Sequence, residues 1–390
     1  LKQVIVANAR YWLDYVKARS EDTLLAEADI RGAARALEAA MTIPAAWSLT
    51  QSLALALHPH MEQQGYWADW DSCLQSLVAQ ARQRADLATE AALLIRRGAI
   101  QRQRGNYQAA VVSYRRAWRL CHQAGDQFGL ARTLSNLGDL YRLQGRFQRA
   151  MILCQAALSL FETAGDNVGL ARTENHLGLI CLDQRNFSEA LPHMIRAKAL
   201  LQQVGDHYGL AKTLQNLGIL YQSMDELELA LDCFREAIHL YHVTGDETHA
   251  ARTLMNVGIV HWCRDDLAQA EMVYCQAESL LRRAGDSLEL ARVRHNLGMV
   301  YIRLKDWTEA EACFERALEQ WRSRGNAWDL INTLGELAGL HIACGHWLQA
   351  RSCLDEAWTL VNEHPEPRYD ILRGELAERR QELSRLTGHT

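Results

Sequence analysis

Basic residues recur along the chain at one fixed spacing: Arg132, Arg172, Lys212, Arg252 and Arg292, with Asn332 at the next interval. Four residues after each come Asn136, His176, Asn216, Asn256 and Asn296, then Glu336. Three further on stand Asp139, Leu179, Ile219, Ile259 and Met299. On a helix of 3.6 residues per turn, positions 136, 139 and 143 lie at about 40°, 340° and 20° from Arg132, so they form one stripe. The opposite face carries Leu130, Leu134, Leu137 and Tyr141. A carboxamide both donates and accepts, so a row of them can grip an extended backbone whatever its side chains. Arg and Lys take acidic side chains or a C-terminal carboxylate. The apolar row can bury anchors, with Trp262 at its flank. The same rows admit a scaffold reading, in which the cations pair with acids of neighbouring repeats and the carboxamides bond backbone between helices. A solvent-facing apolar row has no obvious use in a scaffold.

Other chemistry is not signalled. There is no G-x-x-x-x-G-K-[ST] loop, no G-x-G-x-x-G after a strand, no H-E-x-x-H and no G-x-S-x-G. Asp265-Asp266 reads as a solvated turn. His239 and His242 are spaced to share a metal, but other repeats carry Ser, Ala, Arg and Glu there. His341, Cys344 and His346 lie close in sequence, yet His341 takes the core position of Tyr141. We therefore expect no catalytic residue, no cofactor and no metal. The ten cysteines contain no C-x-x-C pair and read as small core residues in a reducing, cytoplasmic compartment.

The elements that hold these rows are set by composition and period. Of 390 residues 48% are apolar and only 5 are proline, so long uninterrupted helices and a large core are both allowed. A net charge of −5 excludes the broad basic footprint of a nucleic-acid binder. No apolar run of about 18 residues occurs, so no membrane helix is expected. The start, L-K-Q-V-I-V-A-N-A-R-Y-W, lacks the order of a signal peptide. Gly-Asp recurs at 125–126, 165–166, 205–206, 245–246 and 285–286, and Gly-Asn follows at 325–326, a period of 40 without a slip. Gly98, Gly138, Gly178, Gly218, Gly258 and Gly298 keep the same period. So do alanines at 110, 150, 190, 230, 270, 310 and 350, and again at 117 through 357.

Each period predicts two helices. In one repeat, Asp126 caps helix A over 127–144, Gly145-Arg146 turns the chain, helix B runs over 147–163, and Gly165 ends it. The small residues let the two helices approach closely. Leu134, Leu137, Gly138 and Tyr141, then Ala150 and Cys154, then Ala157, resemble the W-x-x-L-G-x-x-Y, A-x-x-x-F and A positions of the tetratricopeptide repeat. Ala230 with Phe234, Ala310 with Phe314 and Ala270 with Tyr274 restore the aromatic. The closing proline of that family is absent, and the period exceeds its usual length of about 34. The longer variant is similar to arrays of kinesin light chain and of bacterial signalling ATPases. The resemblance implies an all-α, right-handed α-solenoid of helix pairs, whose A helices turn the stripe described above into a concave groove.

We expect an N-terminal helical segment over 1–44, with helices over 3–18 and 22–41. Eight repeats follow over 45–362, the first degenerate and marked by Gly65-Tyr66-Trp67 and Leu77. A C-terminal capping helix lies within 363–390, with Leu372, Leu376, Leu383 and Leu386 on one face. The segments A-R-Y-W-L-D-Y-V at 9–16, A-D-I-R-G-A-A-R-A-L-E at 28–38 and G-Y-W at 65–67 resemble the stretch after the winged-helix module of bacterial STAND signalling NTPases. The chain starts at Leu1 rather than Met, so we expect a piece of a longer polypeptide. The resemblance implies a non-enzymatic sensor that binds a peptide or protein in its groove, with an upstream NTPase module as partner and neither nucleic acid nor membrane. Two alternatives stand beside it: the regulatory array of a transcription activator, and the substrate-recruiting array of a protease or transferase.

Overall fold

The computed structural model describes residues 1–19, 25–324 and 326–388. Among them are nineteen α-helices, two short 3-10 turns and no strand. Gly325 and the predicted start of the second helix at 22–24 lie outside the described residues. The chain divides into two compact units, Leu1–Asp246 and Glu247–Thr390.

The first unit opens with α1 (Lys2–Lys17), α2 (Glu27–Met41), α3 (Trp47–Gln63) and α4 (Trp67–Gln83). Four helix pairs follow: α5 (Leu87–Gln103) with α6 (Tyr107–Ala124), α7 (Gln127–Leu143) with α8 (Phe147–Ala164), α9 (Asn167–Asp183) with α10 (Phe187–Val204), and α11 (His207–Ser223) with α12 (Leu227–Thr244). The second unit holds α13 (Glu247–Cys263) with α14 (Leu267–Ala284), α15 (Ser287–Leu304) with α16 (Trp307–Arg324), α17 (Ala327–Ala343) with α18 (Trp347–Asn362), and a last helix, α19 (Asp370–Thr387).

Local chemistry fixes the ends of these helices. The carboxylates of Asp126 and Asp206 accept the Gly129 and Gly209 amides at 2.9 and 2.7 Å, and Asp286 accepts from Glu289 at 3.2 Å. At the other end Gly165 and Gly205 take φ of 67° and 77°, a conformation that costs glycine nothing.

Within each pair the small residues set the distance. A Cβ on Gly98 would lie 2.6 Å from Tyr114, and one on Gly298 would lie 2.6 Å from Phe314. Ala110, Ala150, Ala190 and Ala230 in the first unit, and Ala270, Ala310 and Ala350 in the second, are all fully buried. In both units each A helix also touches the next A helix, while successive B helices barely meet. Each unit therefore curves with its A helices on the inner side.

The segment 45–84 packs differently. α3 lies against α1 and α2 and touches α4 only lightly, while α4 packs on α5. The cause is at the crossing positions. His58 stands one period before Gly98, Trp70 before Ala110 and Leu77 before Ala117. Large side chains there hold the helices apart, and the gap is filled by a buried bond from Trp70 Nε1 to His58 Nδ1 at 2.9 Å.

At the far end of the second unit, α19 docks on α17 and α18. Leu372, Leu376 and Leu383 are buried as the apolar face predicts, but Leu386 is 55% exposed, because the helix has outrun its partners there. The cysteines also depart in part from the core reading: Cys121, Cys154, Cys181 and Cys313 are buried, whereas Cys263 and Cys275 are exposed.

Candidate functional site

The three rows lie on the A helices, and the two units treat them differently. In the first unit Arg132 lies over the Phe128 ring at 5.7 Å, and the Lys212 amine over Tyr208 at 5.2 Å. Arg172 and Lys212 are exposed. Among the described residues no carboxylate comes within ion-pair distance of Arg132, Arg172 or Lys212. Lys212 is open to solvent yet hemmed in by the inner surface, and this crowding holds its amine below the usual lysine value. Glu62 and Asp246 offset part of that effect, while Arg102 and Arg172 add to it. Burial and the neighbouring Arg172 likewise lower the Arg132 guanidinium.

The carboxamide row is mixed here. Asn136 makes no side-chain hydrogen bond among the described residues. Asn216 donates to the Asn175 carbonyl oxygen at 3.1 Å. His176 sits 3.1 Å from the Ser135 hydroxyl, which also accepts from Thr173 at 2.9 Å. Burial brings His176 down to about 4, so the ring is neutral near pH 7. The apolar row is interrupted at its first position. Asp139 is buried and paired with Arg102 at 3.3 Å and Arg142 at 3.0 Å, and Arg142 reaches on to Asp183 at 2.7 Å. Against the opposing cost of burial, His176, protonated in acid, and then Arg102 and Arg142 hold the Asp139 carboxyl well below the usual carboxylate range. Leu179 and Ile219 are half-buried.

In the second unit the cations already have partners. Glu289 is buried and receives Arg252 at 3.2 Å and Arg292 at 2.9 Å. Asp286 lies 3.5 Å from Arg252, and Asp329 lies 3.7 Å from Arg292. Asn256 makes no side-chain hydrogen bond among the described residues. Asn296, Ile259, Met299 and Trp262 are half-buried, and the Arg303 guanidinium lies 5.0 Å over the Trp262 ring. The row ends at Glu336, which accepts from Arg379 of α19 at 2.8 Å, beside Asn332 in a small cavity closed by Leu372 and Leu376.

Glu289 was not singled out from the sequence. The signal is a change of residue type at one register: Gly129, Gly169 and Gly209, then His249, Glu289 and Asp329. No group of three or more His, Cys, Asp or Glu able to hold a metal occurs among the described residues, the neighbourhood of His341 included. No helix among them is long and apolar enough to cross a membrane.

A family model described as tetratricopeptide repeat matches residues 89–163, 169–242 and 289–363, together more than half of the chain. No curated protein matches. Similar solved structures include a Rap protein complexed with Competence and Sporulation Factor, at 16% identity, 97% of this chain, 100% of that one and a TM-score of 0.61. Another is a STAND protein with a tetratricopeptide repeat sensor from Pyrococcus horikoshii, at 16% identity and a TM-score of 0.66, covering 97% of this chain and 55% of that one. A third is the apo form of the quorum sensor NprR from B. thuringiensis, at 13% identity, 92% of this chain, 99% of that one and a TM-score of 0.58. At these identities the likeness is one of fold.

Proposed function

The chain belongs to the tetratricopeptide repeat family, and on that footing we propose that it is a non-enzymatic sensor or interaction array that holds a peptide or protein segment against its A-helix faces. One observation carries this reading: the half-buried Leu179 and Ile219 stand on the same row of A helices as three cations that, among the described residues, have no carboxylate within ion-pair distance. A scaffold has no use for either feature, whereas an extended segment uses both. The matched Rap structure contains Competence and Sporulation Factor, and the Pyrococcus horikoshii protein carries its repeats as a sensor. Both support a ligand-holding role. The Pyrococcus horikoshii protein also supports placing this chain as the C-terminal sensing part of a STAND NTPase, with the NTPase module as its partner in the same polypeptide.

The test is capture from a random peptide library by the purified chain and by Leu179→Asp/Ile219→Asp. We expect the variant to keep its helical melting curve and lose capture. A variant that captures the same peptides as the parent chain removes the groove reading. For a captured peptide, Asn256→Ala should cost about 1 kcal/mol, roughly fivefold in affinity, if that carboxamide grips the backbone. In part of the second unit the pairing of Glu289 with Arg252 and Arg292 supports the scaffold reading instead.

A further inference from the structure

We propose that the outer, B-helix side of the first unit carries a binding site for single-stranded nucleic acid, centred on α6, in which Arg115, Arg119, Arg146 and Arg149 take phosphates and Trp118 stacks a base. The site is separate from the A-helix faces and goes beyond the reading above.

Charge is unevenly spread along the chain. From Arg82 to Arg149 stand thirteen arginines, no lysine and four acids, in a molecule whose net charge is −5. The whole-chain figure, on which the expectation of no nucleic acid partly rested, hides this local basic belt. All four acids are already used. Asp86 and Asp126 cap α5 and α7, accepting the Thr89 and Gly129 amides at 3.0 and 2.9 Å. Glu90 takes Arg82 at 3.3 Å and Arg116 at 2.7 Å, and Asp139 takes Arg102 and Arg142. Arg97 and Arg104 turn back to Asp71 of α4. Arg115, Arg119, Arg146 and Arg149 are left exposed, and among the described residues no carboxylate lies within ion-pair distance of any of them.

These cations surround an open aromatic ring. On α6, positions 112, 115, 118, 119 and 122 fall within about 120° of the helix circumference. They hold Val112, Arg115, Trp118, Arg119 and His122, all exposed. Trp118 is 41% exposed, and its ring lies 6.0 Å from the His122 ring at a tilt of 38°. Beside this face Arg115 Nη2 donates to the Tyr141 hydroxyl at 3.0 Å, and the Arg146 guanidinium lies 5.8 Å over the Tyr141 ring. Tyr141 thus draws a cation of α6 and a cation of the α7–α8 turn together without neutralising either. Arg149 follows on the first turn of α8. In the next repeat the α6 register reads Gln155, Leu158 and Ser159, and in α16 it reads Glu315, Leu318 and Glu319. Repeat packing therefore does not ask for the cation–aromatic–cation run of α6.

A guanidinium takes phosphate oxygens two at a time, and an indole among cations offers any base a face to stack on. An acidic peptide would satisfy the arginines but leave the indole idle, and a duplex keeps its base faces stacked on one another.

The probe is a short fluorescein-labelled oligothymidylate, followed by anisotropy with the whole chain. With about four phosphates neutralised, affinity should fall roughly 50-fold between about 50 and 200 mM salt. Arg115→Gln/Arg119→Ser copies the next repeat and so keeps the packing. It should weaken binding about tenfold or more and flatten the slope of log affinity against log salt by roughly 1.4. Trp118→Leu, matching Leu158, should weaken binding roughly 5- to 150-fold at an unchanged slope, and Trp118→Phe should restore most of the loss. Leu179→Asp/Ile219→Asp should bind as the parent chain does. Unlabelled hexaglutamate, a duplex of the same length and phosphatidylserine vesicles should each displace the probe far less well than unlabelled oligothymidylate. Absence of binding at low salt overturns the proposal, as does Trp118→Leu with unchanged affinity. Displacement by any of the three competitors as efficient as by oligothymidylate also overturns it, as does loss of binding in Leu179→Asp/Ile219→Asp, which would move the site to the A-helix faces. Peptide capture from the library is a separate readout, so the groove reading stands or falls on its own.

Discussion

His176 stands where the other repeats place a carboxamide, and its surroundings decide its charge. Burial keeps it neutral with a folded value of about 4, below an unfolded value of 6.5. The unfolded chain therefore takes the proton first as pH falls, so the neutral ring's contribution is complete above about 6.5 and declines towards 4. His58, His60, His295 and His341 are shifted in the same direction, also by burial. The melting temperature should hold steady from pH 8 to 7 and fall between pH 6.5 and 4. Replacing His176 by Asn, the residue of its row, should remove about 1–2 kcal/mol of the loss at pH 5, allowing for partial exposure. An unchanged slope in His176→Asn would assign the acid sensitivity to the other four rings. The period alone brought Arg132, Arg172, Lys212 and their row partners to one face, so those positions were legible from the sequence. Glu289 was not, because its importance lies in being within 3.2 Å of a side chain 37 residues away, and a stripe drawn on one helix does not show contacts with the next. The Arg102–Asp139–Arg142–Asp183 chain was missed for the same reason: its four members come from three helices.

Helix pairs are set by what stands at the crossing. Gly298 faces Phe314 so closely that Gly298→Ala should cost about 1–3 kcal/mol of stability, as overpacking does, despite alanine's better helix propensity. Gly374 in α19 has nothing within 4 Å of a would-be Cβ, so Gly374→Ala should instead gain up to about 1 kcal/mol. Urea melts of the two variants check both signs; a stabilising Gly298→Ala would mean that the pair opens freely. Turn positions behave in the converse way. Lys305 holds a left-handed φ of 62° where Gly105, Gly145 and Gly345 stand one or more periods away. Lys305→Gly should therefore raise the melting temperature, with about 1–2 kcal/mol of backbone strain removed and part of it returned as unfolded-chain entropy. A lower melting temperature would show the lysine side chain to be worth more than its strain. Within the repeats helix limits were readable to within a residue or two because Asp caps and Gly stops recur, whereas α2 begins only at Glu27, inside the expected 22–41. The different packing of α3 and α4 was half-readable. Gly65-Tyr66-Trp67 announced a turn, but the consequence of His58 and Trp70 at the crossing becomes plain only when α3 is seen on α1 and α2.

At the scale of the whole molecule, the order of contacts is nearly that of the chain. Each helix packs on its partner, on the next pair and on the A helix beyond, and little else joins distant parts of either unit. The fold class was legible for this reason: a 40-residue period is itself a statement that every contact is repeated locally. Stability should then be a sum of repeat and neighbour terms, so damage stays near where it is made. Hydrogen exchange makes the point testable with one variant. In Gly298→Ala the lost contact is with Phe314, so α15 and α16 should exchange faster by a factor of roughly 5–100, the equivalent of about 1–3 kcal/mol. α14 and α17, each packed on one of the damaged helices, should follow to a smaller extent. The amides of α7 to α10, several repeats away along the chain, should keep their original rates. If α7 to α10 speed up as much as α15 and α16, the array unfolds as one cooperative body. A sum of neighbour terms would then be the wrong description of how its parts hold together.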